Sequence, residues 1–275
     1  MPPESGSSDE RGRTEIVVFL GLTFALSSIF YYLILRGGSL ASGGGAAAAG
    51  LMWCPGIAAM VTVTWFRRNL RGLGWGAGPW RYWLWGYGSP ILYAGVVYIV
   101  VWTTGLGAID EEVLQRLTAS KLLTLIALGT AMSGLTALGE EIGWRGFLTP
   151  RLHARFGFTR STLITGLIWA AWHYPLLLFG DYNSGTPWWF GLTCFTILVV
   201  GISFFFAWLR LTSASVWPAV WLHASHNLWI QGFFDRLTAD TGPTEWWTGE
   251  FGAGLALAAL VVSAIVLKRL PRRGW

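Results

Sequence analysis

The sequence predicts an all-α polytopic membrane protein, a bundle of about eight transmembrane helices with both termini cytoplasmic. Three observations carry that prediction. The chain of 275 residues is 53% hydrophobic and only 12% charged, against the roughly 25% charged residues of a soluble domain. Most of its length lies in apolar stretches about 20 residues long, the length that crosses a bilayer. Basic residues collect between alternate stretches, the pattern of loops that stay in the cytoplasm.

Taken in order, residues 1–14, MPPESGSSDERGRT, are polar and expected to form a disordered cytoplasmic tail. The apolar run that follows is too long for the core of a removable signal peptide and lacks a small-residue cleavage site, so it is expected to remain as the first span. Spans are expected at 16–35, 46–66, 83–103, 122–143, 163–178, 188–209, 216–230 and 251–267. Residues 15–275 then read as one transmembrane domain with a motif-bearing core at 120–230. The small-residue stretch GGGAAAAG before the second span suits close helix packing. Aromatic clusters such as WRYWLW and TPWWF fall at span ends, where an interfacial belt belongs. Cys54 and Cys194 lie inside apolar stretches without the spacing of a zinc site or a disulfide framework, and read as small packing residues.

Orientation follows from the basic residues. Arg67, Arg68, Arg71 and Arg81, then Arg151, Arg155 and Arg160, then Lys268, Arg269, Arg272 and Arg273 all fall on one side of an eight-span arrangement. Acidic residues dominate the other side: Asp110, Glu111, Glu112, Asp181, Asp235, Asp240, Glu245 and Glu250. A net charge of +5 is accounted for by this topology and by anionic lipid headgroups, so nucleic acid is not an expected partner. The expected location is the cell membrane.

Ionisable residues within spans cost at least ~2.5 kcal/mol each on insertion scales, so each calls for a partner or a function. They gather in GEEIGWR, WAAWHYP and WLHASHN. Glu141 and Arg145 are spaced i, i+4 with the acid first, the favourable order for an ion pair. Glu140 lies about 100° round the helix, away from that arginine, and is the carboxylate left for acid–base work. An ion-pair cluster that merely pins a helix end explains the same three charges. His173 precedes Pro175 by two residues, and alone it would read as a histidine bonded to a neighbouring helix. His223 and Asn227 share a helical face, with His226 offset from both. Two histidines and a carboxylate can hold a metal, or can activate water and stabilise an oxyanion. At ~1.5 Å per residue, His173 and His223 lie roughly 20 and 15 Å from Arg160 and Ser213, which places both near the midplane or in the cytoplasmic half. His153, in a basic loop, reads as an ordinary solvated residue.

These three stretches resemble the motifs of the CPBP intramembrane protease family, also called the Abi or type II CAAX prenyl endopeptidase family. The EExxxR motif is matched by Glu140 to Arg145, the FxxxH motif by Trp169 to His173, and the HxxxN motif by His223 to Asn227. Trp169 stands where the family usually has Phe, an exchange expected to alter packing and not chemistry. Three such patterns in order on a helical membrane chain make a specific signal where each alone is weak. The resemblance implies a bundle with a cytosol-facing cavity in which Glu140 activates the attacking water with help from His173. It implies that His223 and Asn227 stabilise the oxyanion and that Glu141 and Arg145 support them. It leaves two routes open: direct activation by glutamate, or a metalloprotease with a divalent metal such as zinc on Glu140, His173 and His223. EExxxR is not the HExxH of the zincins.

The activity expected from the resemblance is hydrolysis of a peptide bond in a membrane-associated protein or peptide near the cytoplasmic face. A prenylated CAAX protein, or a bacteriocin in processing or immunity, is the substrate type implied. Gly139, Gly143, Gly146 and Gly166 are expected either to keep helices close or to leave room for a substrate strand. A transporter or a non-catalytic scaffold is the competing class. A transporter is expected to show broken helices in two related halves, and none are apparent. A scaffold is expected to have lost motif residues, and these are all present.

Overall fold

The computed structural model describes residues 5–269, with side chains from residue 10 onward. Its helices are α1 (Ser5–Gly37), α2 (Ala46–Arg67), α3 (Trp80–Thr104), α4 (Glu111–Arg116), α5 (Ala119–Glu141), α6 (Thr149–Phe179), α7 (Trp188–Ser213), α8 (Trp217–His226) and α9 (Ala253–Arg269). Two wider π-helical segments, Ile142–Leu148 and Asn227–Phe234, continue α5 and α8. All eight expected spans appear as helices, and α4 is a short surface turn. Among the described residues, five helical runs are both long and apolar enough to cross a membrane: Glu10–Gly37, Ser42–Arg67, Trp80–Thr104, Ala119–Phe179 and Trp188–Ser213. Their outward faces are apolar too. Leu84, Leu92, Val96 and Ile99 on α3 and Leu123, Leu128 and Met132 on α5 are exposed, as a multi-pass membrane protein requires of surfaces that meet lipid.

The stretch expected as a disordered tail is helical from Ser5, and residues 1–4 lie outside the described residues. The reason is visible at Glu15, which is fully buried. Arg67 Nε donates to both its carboxylate oxygens, at 2.9 and 3.1 Å, and Arg151 Nε donates to Oε2 at 3.1 Å. This clasp holds the start of α1 against the end of α2 and the start of α6. Composition alone reported only that the segment was polar.

The fourth and fifth expected spans are joined in one helical run that bends at Gly157, whose φ of +71° suits a residue without Cβ. Helices α2 and α5 approach so closely that a Cβ on Gly56 would lie 2.5 Å from the Gly139 carbonyl oxygen. A Cβ on Gly143 would lie 2.4 Å from Pro55 Cβ. Of the two roles expected for the glycines, close packing is the one Gly139 and Gly143 serve.

Contacts between connections define two ends of the bundle. At one, the Glu15 clasp lies with the α2–α3 and α7–α8 connections, where Val216 N–H donates to the Gly74 carbonyl. This is the arginine end. At the other, Leu40 N–H donates to Asp181, Tyr182 O–H donates to Glu250, and β1 (Ala108–Ile109) pairs antiparallel with β2 (Thr238–Ala239). This is the ribbon end, named for that two-stranded ribbon.

Candidate active site

Helix α5 delivers Glu140 and Glu141, both buried, to the middle of the molecule. Directly after them the helix widens into the first π-helical segment, where Gly143 and Gly146 lower the local preference for a regular α-helix. Arg210 Nε donates to the Arg145 carbonyl at 3.0 Å, supplying a partner for backbone in this irregular turn.

The expected ion pair is present. Arg145 Nη1 donates to Glu141 Oε1 at 3.0 Å, with both side chains buried. The guanidinium lies between two aromatic faces, 4.0 Å from the Trp169 centroid and 3.9 Å from that of Phe206. In this setting cation–π attraction offsets part of the desolvation of the charge. The same Glu141 oxygen accepts from His223 Nδ1 at 2.9 Å. An ionised carboxylate only accepts, so Nδ1 carries the proton and Glu141 fixes the orientation of the ring.

Glu140 is not free in the sense expected from its helical position. Its Oε2 accepts from Trp169 Nε1 at 2.7 Å and from Trp144 Nε1 at 3.3 Å. Trp169 is therefore more than a packing exchange for Phe, because only the indole brings an N–H to the carboxylate. Its ring also lies 6.0 Å from the His173 ring and 5.5 Å from the His223 ring, centroid to centroid. One side chain thus touches the principal groups of all three motifs. His173 Nδ1 donates to the Trp169 carbonyl, 2.8 Å away, which leaves Nε2 as the basic nitrogen.

Glu140, His173, His223 and Asn227 line a single cavity of about 230 Å³. The four residues expected to act together are brought together, from α5, α6 and the α8 junction. Asn227 is the first residue of the second π-helical segment. Both outer motifs therefore end where a helix departs from regular geometry, as functional sites often do.

The cavity also holds a group that the sequence did not single out. His226, expected to be offset, lines the same cavity, and its Nε2 donates to Glu250 Oε1 at 2.9 Å. Tyr93 O–H donates to its Nδ1, and Glu250 Oε2 accepts from Tyr182 O–H and from Gln231 Nε2. The spacing of His223 and His226 was a legible signal for the histidine. Glu250 looked like one more acid in an acidic loop.

The cavity does not face the arginine end. Its connection residues, Leu40, Tyr182 and Glu250, all come from the ribbon end, and none comes from the arginine-end connections. Counting helical rise placed the histidines near the midplane, but depth along a helix does not tell which way a cavity opens.

A catalytic zinc needs about three protein ligands converging on one point with a fourth position open. Among the described residues no group of three or more His, Cys, Asp and Glu is arranged to hold a metal. Glu140, His173 and His223 do not fit a zinc ion in this geometry.

Residues 121–229 match the family model described as type II CAAX prenyl endopeptidase Rce1-like. The chain is also 31% identical over 102 residues to CAAX prenyl protease 2 of Methanococcus maripaludis, covering 34% of this chain and 36% of the relative. The match spans about a third of that relative's length, and the family-model match takes in every motif residue that lines the cavity. Over residues 121–229 the chain is similar to the Rce1-like type II CAAX prenyl endopeptidases, the family that its three motifs resemble.

Proposed function

We propose that this chain is an intramembrane endopeptidase that cleaves a peptide bond of a membrane-associated protein or peptide with water activated by Glu140. The observation that carries the proposal is the convergence of Glu140, His173, His223 and Asn227 on one buried cavity. Glu140 takes a proton from water as the oxygen attacks the peptide carbonyl carbon, and His173 orients that water through Nε2. The oxyanion that forms accepts hydrogen bonds from the Asn227 amide and from His223 Nε2–H. For His223 to donate there its ring must carry two protons, and Glu141 on Nδ1 stabilises that positive charge. Collapse of the tetrahedral intermediate breaks the C–N bond, and the proton held by Glu140 passes to the leaving amine. Arg145 takes no proton; it neutralises Glu141 so that the buried charges balance.

The test is cleavage of a panel of prenylated and unprenylated peptides by purified protein in liposomes, comparing wild type with Glu140→Ala and each with and without a chelator. Cleavage that is lost in Glu140→Ala and persists with the chelator supports direct activation. Equal cleavage by wild type and variant removes Glu140 from its role. Loss to the chelator alone calls for a metal that this side-chain arrangement does not accommodate.

A further inference from the structure

We infer that the arginine end carries a binding site for the phosphate of an anionic phospholipid headgroup, built by Arg11, Arg67 and Arg151 around Glu15. The inference goes beyond the protease reading, and its test needs no catalysis. Its starting point is an imbalance of charge at the clasp.

Three guanidinium groups from three helices converge on one carboxylate. Arg67 Nε donates to both oxygens of Glu15, Arg151 Nε lies 3.1 Å from Oε2, and Arg11 Nε lies 3.8 Å from Oε1. Among the described residues, one negative charge thus meets three positive ones. Arg68 and Arg71, both exposed in the α2–α3 connection, add to the surplus. Glu10, the other described acid of this end of α1, is exposed and stands five residues before Glu15, about 140° round the helix.

Where the surplus lies says what would answer it. Glu15 is fully buried, whereas the side chains of Arg11 and Arg67 are 56% and 53% exposed. Arg67 gives its Nε to Glu15, and Arg11 gives Nη2 to the Phe66 carbonyl. A guanidinium has five N–H donors, and these bonds use a minority of them. Arginine forks match the oxygens of a phosphate and bind them in pairs, and they are weakly hydrated for a charged group. Beside the clasp the same helices expose Val17 on α1 and Val61 and Trp65 on α2. An indole two residues from Arg67 suits the interfacial level, and the valines continue into the apolar surface that meets lipid. A phospholipid satisfies both parts at once, with its phosphate on the arginines and its chains on the apolar faces. A soluble phosphate satisfies only the first. Basic clefts between membrane helices bind anionic headgroups on this principle. Because the clasp joins α1, α2 and α6, a phosphate bound there also ties the N-terminal hairpin to the helix that carries His173.

The experiment titrates the purified full chain in neutral detergent with phosphatidylglycerol, with phosphatidylcholine and with glycerol phosphate. Bound species are read by native mass spectrometry, and the thermal midpoint is followed in parallel. Arg11→Gln removes one surplus charge and leaves Glu15 with Arg67 and Arg151. Arg67→Gln removes the central fork, and Arg160→Gln removes an exposed charge that lies outside the clasp. Phosphatidylglycerol is expected to bind at least about tenfold more tightly than phosphatidylcholine, the size of one hydrogen bond to a charged group, and to raise the thermal midpoint. Arg11→Gln and Arg67→Gln should each lose about tenfold of that affinity, and Arg160→Gln less than about twofold. If Arg67→Gln does not fold, the comparison of Arg11→Gln with Arg160→Gln decides alone. Equal binding of the two lipids overturns the inference, and so does an equal loss in Arg11→Gln and Arg160→Gln, which means diffuse charge and no site. Equal affinity for glycerol phosphate overturns the assignment to a lipid, because the apolar faces then contribute nothing.

Discussion

Glu140 and Glu250 are both buried carboxylates on one cavity, yet their surroundings differ in kind. Glu250 is held through both oxygens: His226 engages one, and Tyr182 and Gln231 engage the other. Glu140 has hydrogen bonds to Oε2 alone, both from indoles that cannot accept a proton in return. A carboxylate engaged at both oxygens is a fastening, whereas one held by a single edge keeps more capacity for water. The difference teaches that burial alone does not set a carboxylate's role; under the proposed mechanism, unspent hydrogen-bonding capacity beside the cavity is what separates Glu140 from Glu250.

The largest expected effect sharpens that contrast directly. Glu140→Gln keeps the shape and removes the base, and should lower kcat by about 10³-fold, within the usual range for general-base catalysis. Glu250→Gln should lower it less than tenfold in the same peptide assay. Equal losses would break the distinction.

Next in size is the charge balance beneath the site. Arg145→Met leaves Glu141 as an unpaired buried charge and should destabilise the protein by ~3–5 kcal/mol, read as a fall in the thermal midpoint in detergent. The double variant Arg145→Met with Glu141→Gln should recover part of that fall, because the orphaned charge goes with its partner.

Trp169→Phe restores the residue usual in the family motif and deletes the 2.7 Å hydrogen bond to Glu140. A hydrogen bond to a charged group is worth ~1.5–3 kcal/mol, so kcat should drop by about tenfold or more with KM little changed. Trp144→Phe, at 3.3 Å, should have the smaller effect. A Trp169→Phe variant as fast as wild type would show that the indole N–H does not position the base.

The smallest effect lies outside the cavity, just beyond the second π-helical segment. Burial pushes the Asp235 carboxyl up to about 6, with a hydrogen bond from Tyr98 acting the other way. The folded state therefore favours the protonated acid, and its stabilisation is complete below the unfolded value of about 4 and is lost as pH rises through about 6. Thermal midpoints measured from pH 4 to 7 should show that decline, and Asp235→Asn should flatten it.

Much of the fold was legible because hydropathy acts over whole spans: the eight apolar stretches and their alternating charge reappear as eight helices. The Glu141–Arg145 pair was legible for a local reason, since i, i+4 spacing brings two side chains together on any helix. What escaped the sequence depends on contacts far apart in the chain. Glu15 meets Arg151, Tyr93 meets His226, and Trp169 meets Glu140. Nothing local to Glu250 distinguished it from the acids of the same loop, and a tryptophan in place of a phenylalanine reads as bulk until its N–H is seen to have a partner. The opening of the cavity was least legible, because it depends on which helix ends are plugged and not on any one residue.

The clasp at Glu15 sets an order of events during synthesis. Arg67 is made 52 residues after Glu15, and Arg151 follows 136 residues after it. The first helix thus enters the membrane with a carboxylate that meets its first long-range cation only when the second helix is complete. Its contact with Arg151 must wait until the helix carrying Glu140 has been made, so the seam between the N-terminal hairpin and the motif-bearing core closes late, after Glu140 has left the ribosome.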